Sequence, residues 1–366
     1  MPGSAANKAT PIASDPPARG WRRVLRWLRA SAKWLTILYA VLLLALLPAL
    51  EWWGERNWLL SLLLYAPAQL LLAPLLLLTP FCLVLHPRWI VLHLACAAAV
   101  CLVYMTYRPT RMTSVPTDGL RVITHNVGQG NWEQFASFSR RHSPDIVLLQ
   151  DIRSEGAKYA RLYPGLHTMT RGEFCIFSRL PIRSADLVVR PAWRGRVVAA
   201  RFEISDTKRP FAVYNVHLPT PRSQFNRFLS KRVMTDFFGD EDRAGGFVSY
   251  REWINARREL AQELESVFGA EKLPFLACGD FNTPDHGFIY HLFARRMTDA
   301  HAKAGHGYGM TFPCDVKPVA NRLGPWLRID YAFVGPGWKP AYCETDNGTR
   351  SQHRAVMVHL ASDSSR

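Results

Sequence analysis

An acidic and an amide side chain follow a short apolar stretch in the segment PFLACGDFNTP, residues 274–284. The apolar residues Phe275 to Cys278 predict a buried strand, which Gly279 ends. Asp280 and Asn282 then lie two positions apart in the turn that follows. A carboxylate can bind a hard cation, and a side-chain amide can donate a hydrogen bond to a phosphate oxygen. The segment therefore predicts a site for a cation and a phosphoryl group.

Further segments repeat this arrangement of apolar residues followed by polar side chains. They are ITHN (Ile123 to Asn126), LLQD (Leu148 to Asp151), NVHL (Asn215 to Leu218), RIDY (Arg328 to Tyr331) and SQHR (Ser351 to Arg354). Polar residues at the ends of apolar strands lie on one rim of a sheet, where loops can direct them at a common ligand. We therefore expect these segments to converge on one site.

Taken in this order, the six motifs resemble the endonuclease/exonuclease/phosphatase family. Its members are metal-dependent phosphoesterases that include DNase I-like nucleases, neutral sphingomyelinases and inositol phosphatases. The resemblance covers about two thirds of the chain, roughly residues 119–360. It implies an α/β (α+β) fold, the four-layered α/β/β/α sandwich of the DNase I-like type, with two sheets packed face to face and helices outside. Such motifs identify a superfamily and are a poor guide to substrate.

The resemblance also implies a Mg²⁺ or Mn²⁺ site formed by Asn126, Asp151, Asp280 and Gln352. Two of these positions depart from the family. Asp151 stands where Glu is usual and is one methylene shorter, and Gln352 stands where Asp usually precedes the terminal His. The second change removes a charge, so that either metal affinity falls or Asp151 mainly holds the ion.

Five matched residues receive catalytic roles from the resemblance. His217 corresponds to the histidine that contacts the scissile phosphate as general acid or transition-state stabiliser, and Asp280 and Asn282 to the pair that orients nucleophile and phosphate. Asp330 corresponds to the carboxylate that holds a histidine, and His353 to the general base. These residue types suit the chemistry, because imidazoles transfer protons near neutral pH and a carboxylate fixes their tautomer. Candidates for a further phosphate contact are Arg179, Arg194 and Arg222.

The composition divides the chain into two parts at Tyr107. Leu, Ala and Trp dominate the first part, whereas apolar, charged and turn residues alternate in the second. The net charge is +16, of which +10 follows Tyr107. This balance favours anionic partners such as nucleic acid, phospholipid headgroups or phosphorylated glycans, although a general bias toward Arg explains it equally well.

Three apolar stretches in the first part are long enough to cross a bilayer. The predicted organisation is a basic, disordered tail at residues 1–33, a membrane region at 34–107 with helices at about 34–50, 58–80 and 89–107, a linker at 108–118 and a catalytic domain at 119–361. If the Arg-rich tail stays in the cytoplasm, three crossings place the catalytic domain on the non-cytoplasmic side of a plasma or inner membrane. A cleaved signal peptide is the alternative for the first stretch, and it leaves the domain on the same side.

Seven cysteines do not form a disulfide framework in a chain of 366 residues. Cys314 and Cys343 occupy loop-like positions and could pair in an oxidising compartment.

These observations predict a membrane-anchored, metal-dependent phosphodiesterase, with nucleic acid slightly favoured as substrate. The first alternative is a phospholipid phosphodiesterase, in which aromatic residues at and beside the long polar segment 219–247 enter the bilayer: Phe237, Phe238, Phe247 and Trp253. The second is a catalytically degenerate domain that binds phosphorylated ligands. The lipid bilayer is the other expected partner, and no protein partner can be inferred.

Overall fold

The computed structural model describes residues 18–109, 119–128, 132–152, 156–190, 196–205, 209–221, 250–314, 324–348 and 352–362. Several residues singled out above lie outside these ranges: Arg194, Arg222, Phe237, Phe238 and Phe247.

Strong helix formers make the first part of the chain helical. Its α-helices are α1 (Ala18–Trp53), α2 (Trp58–Tyr65), α3 (Ala73–Leu85) and α4 (Ile90–Ala99). Within the described part of the chain, three helical segments are long and apolar enough to cross a membrane: Gly20–Arg56, Ala68–Leu85 and Pro87–Tyr104. The number of candidate spans therefore agrees with the sequence prediction, whereas their boundaries do not.

Two boundaries of the membrane region differ from the prediction. Residues 18–33, predicted as part of the disordered tail, are helical, because their Ala, Arg and Leu residues extend the apolar helix that follows. The helix predicted over residues 58–80 is interrupted after Tyr65. Pro67 disfavours the helical conformation of the preceding residue, and Ala66 is extended, with ψ 150°. The second candidate span accordingly begins at Ala68.

Of the described residues, 18–43 and 71–97 make one compact unit, and 44–70 together with those from 98 onward make a second. In the described part of the first, His93 is buried and hydrogen-bonds to two hydroxyls. Its Nε2 lies 3.0 Å from Thr36 Oγ1, and its Nδ1 lies 2.8 Å from Thr79 Oγ1. His93 is therefore a packing residue of the apolar helices.

The second unit contains two six-stranded mixed sheets. The first has the order β11-β12-β1-β2-β4-β3 and the second the order β5-β6-β7-β8-β10-β9. The strands are β1 (Leu120–Asn126), β2 (Ile146–Gln150), β3 (His167–Arg171), β4 (Phe174–Ser178), β5 (Ile182–Arg190), β6 (Arg196–Ile204), β7 (Phe211–His217), β8 (Phe275–Asp280), β9 (Thr298–Asp299), β10 (Asp330–Val334), β11 (Trp338–Thr345) and β12 (Val356–Ser362). The helices are α5 (Trp132–His142), α6 (Gly156–Ala160), α7 (Tyr250–Ala270), α8 (Phe288–Ala294) and α9 (Ala300–Ala304).

Alternation along the strands builds the layers, because successive side chains point to opposite faces of a sheet. In β1, Val122 joins the core between the sheets and Ile123 joins a cluster with α5. In β8, Leu276 joins the same central core, whereas Ala277 joins a cluster with α7 and α8. The unit is thus an α/β/β/α sandwich, which confirms the predicted fold class.

The strand pairing brings the sequence motifs to one rim. Parallel β1 and β2 align Asn126 with Gln150, and parallel β7 and β8 align His217 with Asp280. The first residue of β10, Asp330, lies opposite Asp280, because β10 runs antiparallel to β8. The ends of strands from both sheets therefore form the site.

All seven cysteines are free thiols. Cys314 and Cys343 are both buried, and Cys343 lies inside β11 rather than in a loop, packed in the core between the sheets. The suggested disulfide is therefore not formed.

Candidate active site

Asp280 is the centre of the site and is 1% exposed. Its Oδ2 accepts hydrogen bonds from Asn126 Nδ2 at 2.9 Å and Asn282 Nδ2 at 3.0 Å, and its Oδ1 accepts from the Asn282 backbone N–H at 2.8 Å. Burial raises the pKa of the Asp280 carboxyl, against the opposing effect of His353. The two amides hold the carboxylate in one orientation.

Two histidines face this carboxylate in the same way. His217 Nδ1 lies 3.1 Å from Glu173 Oε1, and His353 Nδ1 lies 3.0 Å from Asp330 Oδ2. Each carboxylate favours the tautomer in which Nδ1 carries the proton and donates it. Both Nε2 atoms lie 3.8 Å from Asp280 Oδ2. The arrangement leaves two Nε2 atoms on the site side, where each can accept or release a proton.

The ionisation of His217 reflects competing influences. Burial lowers the pKa of its imidazole, but the hydrogen bond to Glu173 and the negative charge of Asp280 together outweigh burial and leave the pKa above its ordinary value. The surroundings therefore shift the His217 imidazole toward its protonated form relative to a free histidine.

Close backbone contacts shape the end of β8 and the turn after it. Gly279 has φ 144°, and a Cβ at this position would lie 2.0 Å from Val216 O on the neighbouring strand. Asn282 has φ 49°, which Asn tolerates better than most residues. Its Nδ2 also donates to Leu218 O at 2.8 Å. Because both amide hydrogens of Asn282 are donated within the protein, this side chain orients Asp280.

Asp151 adjoins the same rim through the backbone of Gly128. It has φ 53° and follows β2 directly. A Cβ on Gly128 would lie 1.9 Å from Asp151 Oδ2, and Gly128 N donates to Asn126 Oδ1 at 3.1 Å. Only a glycine allows this packing of Asp151 beside Asn126. Gln352 precedes His353, and its backbone oxygen accepts from Cys314 N at 3.0 Å.

The donor atoms fit a divalent cation. One ligand atom each from Asp280, Asp330 and His353 lie within 4.8 Å of one another. Carboxylate and amide oxygens beside a single imidazole suit hard cations such as Mg²⁺ and Mn²⁺. Of the predicted ligands, Asn126 and Asp280 are in direct contact, and Asp280 also belongs to the cluster of ligand atoms formed with Asp330 and His353.

Several supporting residues were not recognised in the sequence. Glu173, which holds His217, lies in the hairpin turn between β3 and β4. Beneath the site, Gln150 Nε2 donates to Asn215 Oδ1 at 2.6 Å, and Asn215 Nδ2 donates to Leu149 O at 3.0 Å. The sequence contained a signal for this pair, because an amide side chain within an apolar strand is buried and requires hydrogen-bond partners.

His125 supports the site from within the first sheet. It is buried, and its imidazole hydrogen-bonds to the His353 backbone. Burial lowers the pKa of His125 to about 4, against the opposing effect of Asp330. His125 is therefore neutral at pH 7 and braces the segment that carries His353.

Arg179 lies at the opposite end of the first sheet. Its Nη1 is 2.9 Å from Asp145 Oδ1, and Asp145 precedes β2, whereas the site follows β2. The proposal that Arg179 contacts the phosphate is therefore wrong.

A mixed-sheet sandwich with paired imidazoles and carboxylates at one rim defines the class of protein, and comparison with known proteins names the family. Residues 123–353 match the model described as "Endonuclease/Exonuclease/phosphatase family". This match spans more than half of the chain, and the chain belongs to that family of phosphoester hydrolases. The comparison with curated proteins gives no match.

Three solved structures illustrate the likeness in fold. An endonuclease/exonuclease/phosphatase from Bacteroides vulgatus is 17% identical and covers 68% of this chain and 100% of its own, with a TM-score of 0.46. A mannosyl-6-phosphatase from Bacteroides thetaiotaomicron is 19% identical and covers 66% of this chain and 99% of its own, with a TM-score of 0.46. A 3′ phosphatase from Neisseria bound to a product DNA hairpin is 16% identical and covers 66% of this chain and 99% of its own, with a TM-score of 0.46.

Proposed function

We propose that this chain is a membrane-anchored, divalent-metal-dependent phosphodiesterase. The observation that carries the proposal is the pair of carboxylate-anchored imidazoles, whose Nε2 atoms both lie 3.8 Å from Asp280 Oδ2. One base and one acid on the same side of a site are what displacement at a phosphodiester requires.

His353 and His217 divide the proton transfers in this proposal. His353 Nε2 removes a proton from the attacking water, and Asp330 stabilises the imidazolium through Nδ1. His217 Nε2 delivers a proton to the leaving oxygen, and its raised pKa favours the protonated form that this role requires. General acid and base groups of this kind each contribute roughly 10²–10⁴ in rate.

A Mg²⁺ or Mn²⁺ ion is the proposed cofactor, held by Asp280 together with Asn126 and Asp151, with Gln352 as the fourth predicted position. When bound, such an ion offsets the negative charge of the phosphoryl oxygens. Asn282 and Asn126 keep the Asp280 carboxylate oriented for this purpose through their amide hydrogens.

Nucleic acid is the substrate class that we favour, because the net charge of the chain is +16. A phospholipid headgroup is the second candidate. The three apolar helical segments described in the same chain favour it, because such segments would hold the enzyme at a lipid surface. In the proposed topology three crossings place the sandwich on the non-cytoplasmic side.

The test uses the full chain in detergent with bis-p-nitrophenyl phosphate and Mg²⁺, Mn²⁺ or EDTA. We expect metal-dependent release of p-nitrophenol that EDTA and His353→Ala abolish. Plasmid DNA and phospholipid in mixed micelles then separate the two substrate classes. Binding of phosphorylated ligands without turnover, across metals and substrates, would refute the enzyme and support the degenerate binding domain.

A further inference from the structure

The segment between the first and second candidate spans packs against the sandwich. We call residues 57–66, which include α2, the bridging segment. Its Trp58 and Leu62 pack against the apolar cluster of α7 and the second sheet. Ser61 Oγ lies 2.9 Å from Tyr250 Oη at the start of α7. The bridging segment is therefore part of the compact unit that contains the candidate active site.

One residue of the bridging segment reaches the turn that follows β8. We call residues 279–283 the Asp280 loop. Tyr65 is buried, and its hydroxyl donates to the backbone oxygen of Asn282 at 2.9 Å. Arg257 of α7, also fully buried, donates through Nη1 to the Tyr65 hydroxyl. The Tyr65 hydroxyl thus accepts from one group and donates to the loop.

Arg257 holds the same loop through its other terminal nitrogen. Its Nη2 donates to Phe281 O at 3.0 Å and also to Asn282 O and Thr283 Oγ1. A planar guanidinium presents several donors in fixed directions, which suits the simultaneous binding of consecutive backbone oxygens. Arg257 and Tyr65 therefore both donate to the carbonyl of Asn282.

These contacts bear on the geometry of the site because Asn282 has a positive φ of 49°. A non-glycine residue keeps such a conformation when the surrounding structure fixes it from several directions. On the site side, Asn282 bonds to Asp280 through both its backbone and its side chain. Its carbonyl oxygen accepts from Tyr65 and Arg257. We expect loss of these bonds to let the peptide rotate and to move the amide that orients Asp280.

We infer that Tyr65 is a positioning residue for the reaction, acting through the Asn282 carbonyl. It lies 217 positions before the residue that it positions, in sequence that belongs to the apolar N-terminal part of the chain. The inference rests on the proposed phosphodiesterase function, and it assigns to the bridging segment a role in catalysis as well as in connecting two candidate spans.

The test compares Tyr65→Phe with Ser61→Ala in the full chain. Each variant loses one buried hydroxyl between α2 and the sandwich, but only Tyr65 contacts the Asp280 loop. With bis-p-nitrophenyl phosphate we expect Tyr65→Phe to lower kcat about 10-fold with KM within about 2-fold, the rate equivalent of one buried hydrogen bond. Ser61→Ala should keep kcat and KM within about 2-fold. Thermal unfolding of both variants establishes that they are folded.

A second pair of variants serves if Tyr65→Phe does not fold. Arg257→Lys keeps the charge but cannot reach all the acceptors of the guanidinium, whereas Arg258→Lys makes the same change one position later on α7. We expect a loss in kcat for Arg257→Lys alone. Equal kinetics within both pairs, in a chain whose wild type is active, would overturn the inference. An inactive wild type would instead overturn the proposed function.

Discussion

Substitution of Asp330 by Asn tests the assignment of His353 as the base. The change keeps the shape of the side chain and removes the charge that faces His353 Nδ1 at 3.0 Å. Asp330 is nearly inaccessible, with its side chain 1% exposed. An amide in this position can also present its NH₂ group to Nδ1, which would place the imidazole proton on Nε2 and block its action as a base.

The expected loss follows from the bond that is removed. A hydrogen bond to a charged group contributes about 1.5–3 kcal/mol, and about 1.4 kcal/mol corresponds to tenfold in rate. Loss of imidazolium stabilisation alone therefore predicts a decrease in kcat of about 10- to 150-fold, and the wrong tautomer decreases it further. Glu173→Gln makes the corresponding change at His217, where the carboxylate is 29% exposed. Solvent weakens that interaction, so we expect a smaller decrease, below about 10-fold.

The assay is steady-state hydrolysis of bis-p-nitrophenyl phosphate by the full chain, with thermal unfolding measured in parallel. Asp145→Asn is the matched control, because Asp145 is a buried carboxylate that pairs with Arg179 at the other end of β2. It should lower stability without lowering kcat. The role given to the Asp330–His353 pair would be refuted if kcat of Asp330→Asn stayed within about 3-fold of wild type. It would also be refuted if Asp330→Asn decreased kcat less than Glu173→Gln does.

Three further predictions concern the Asp280 loop, the metal site and acid stability. Gly279→Ala should reduce the free energy of unfolding by about 2–5 kcal/mol in chemical denaturation, because the added Cβ would lie 2.0 Å from Val216 O. Gln352→Asp should lower the Mg²⁺ concentration for half-maximal activity, since it restores a negative charge, and an unchanged metal dependence would contradict that account. Burial alone would raise the pKa of Glu271, but hydrogen bonds, first among them that of Arg201, lower it to about 2. Glu271 therefore stabilises the fold above its ordinary pKa and loses this contribution as pH falls through about 2, so the Tm difference between wild type and Glu271→Gln should narrow between pH 5 and pH 2.

The strands and the rim could be predicted because their signals are local. Leu276 and Cys278 mark β8 by apolar character, and the strand ends at Asp280, one residue beyond the end predicted at Gly279. Parallel pairing of neighbouring strands then places their carboxyl ends side by side, as it does for His217 and Asp280. Asp330 and His353 could be paired only through the family resemblance, because 23 residues separate them and no local pattern relates their side chains.

The supporting contacts could not be predicted, because each depends on the packing of elements that are distant in sequence. In the sequence Glu173 is an ordinary hairpin residue, and only the fold brings it into contact with His217. Arg257 reads as an exposed charge on an amphipathic helix, yet it is fully buried and bonds to three consecutive residues of the Asp280 loop. A buried guanidinium is costly unless its donors are satisfied, and the carbonyl oxygens that satisfy them belong to another part of the chain.

The interruption at Ala66 has consequences for the choice of boundaries in any shorter chain. Composition alone places α2 in the membrane, because Trp58 to Tyr65 is almost wholly apolar. The extended conformation of Ala66 before Pro67 ends α2, and its Trp58 and Leu62 pack against the apolar cluster that includes α7. A chain that starts at Arg108 would retain every residue of the proposed catalytic set but lose Tyr65, and it would leave the buried Arg257 short of one of its acceptors. The bridging segment thus belongs to the sandwich by packing and to the membrane region only by composition.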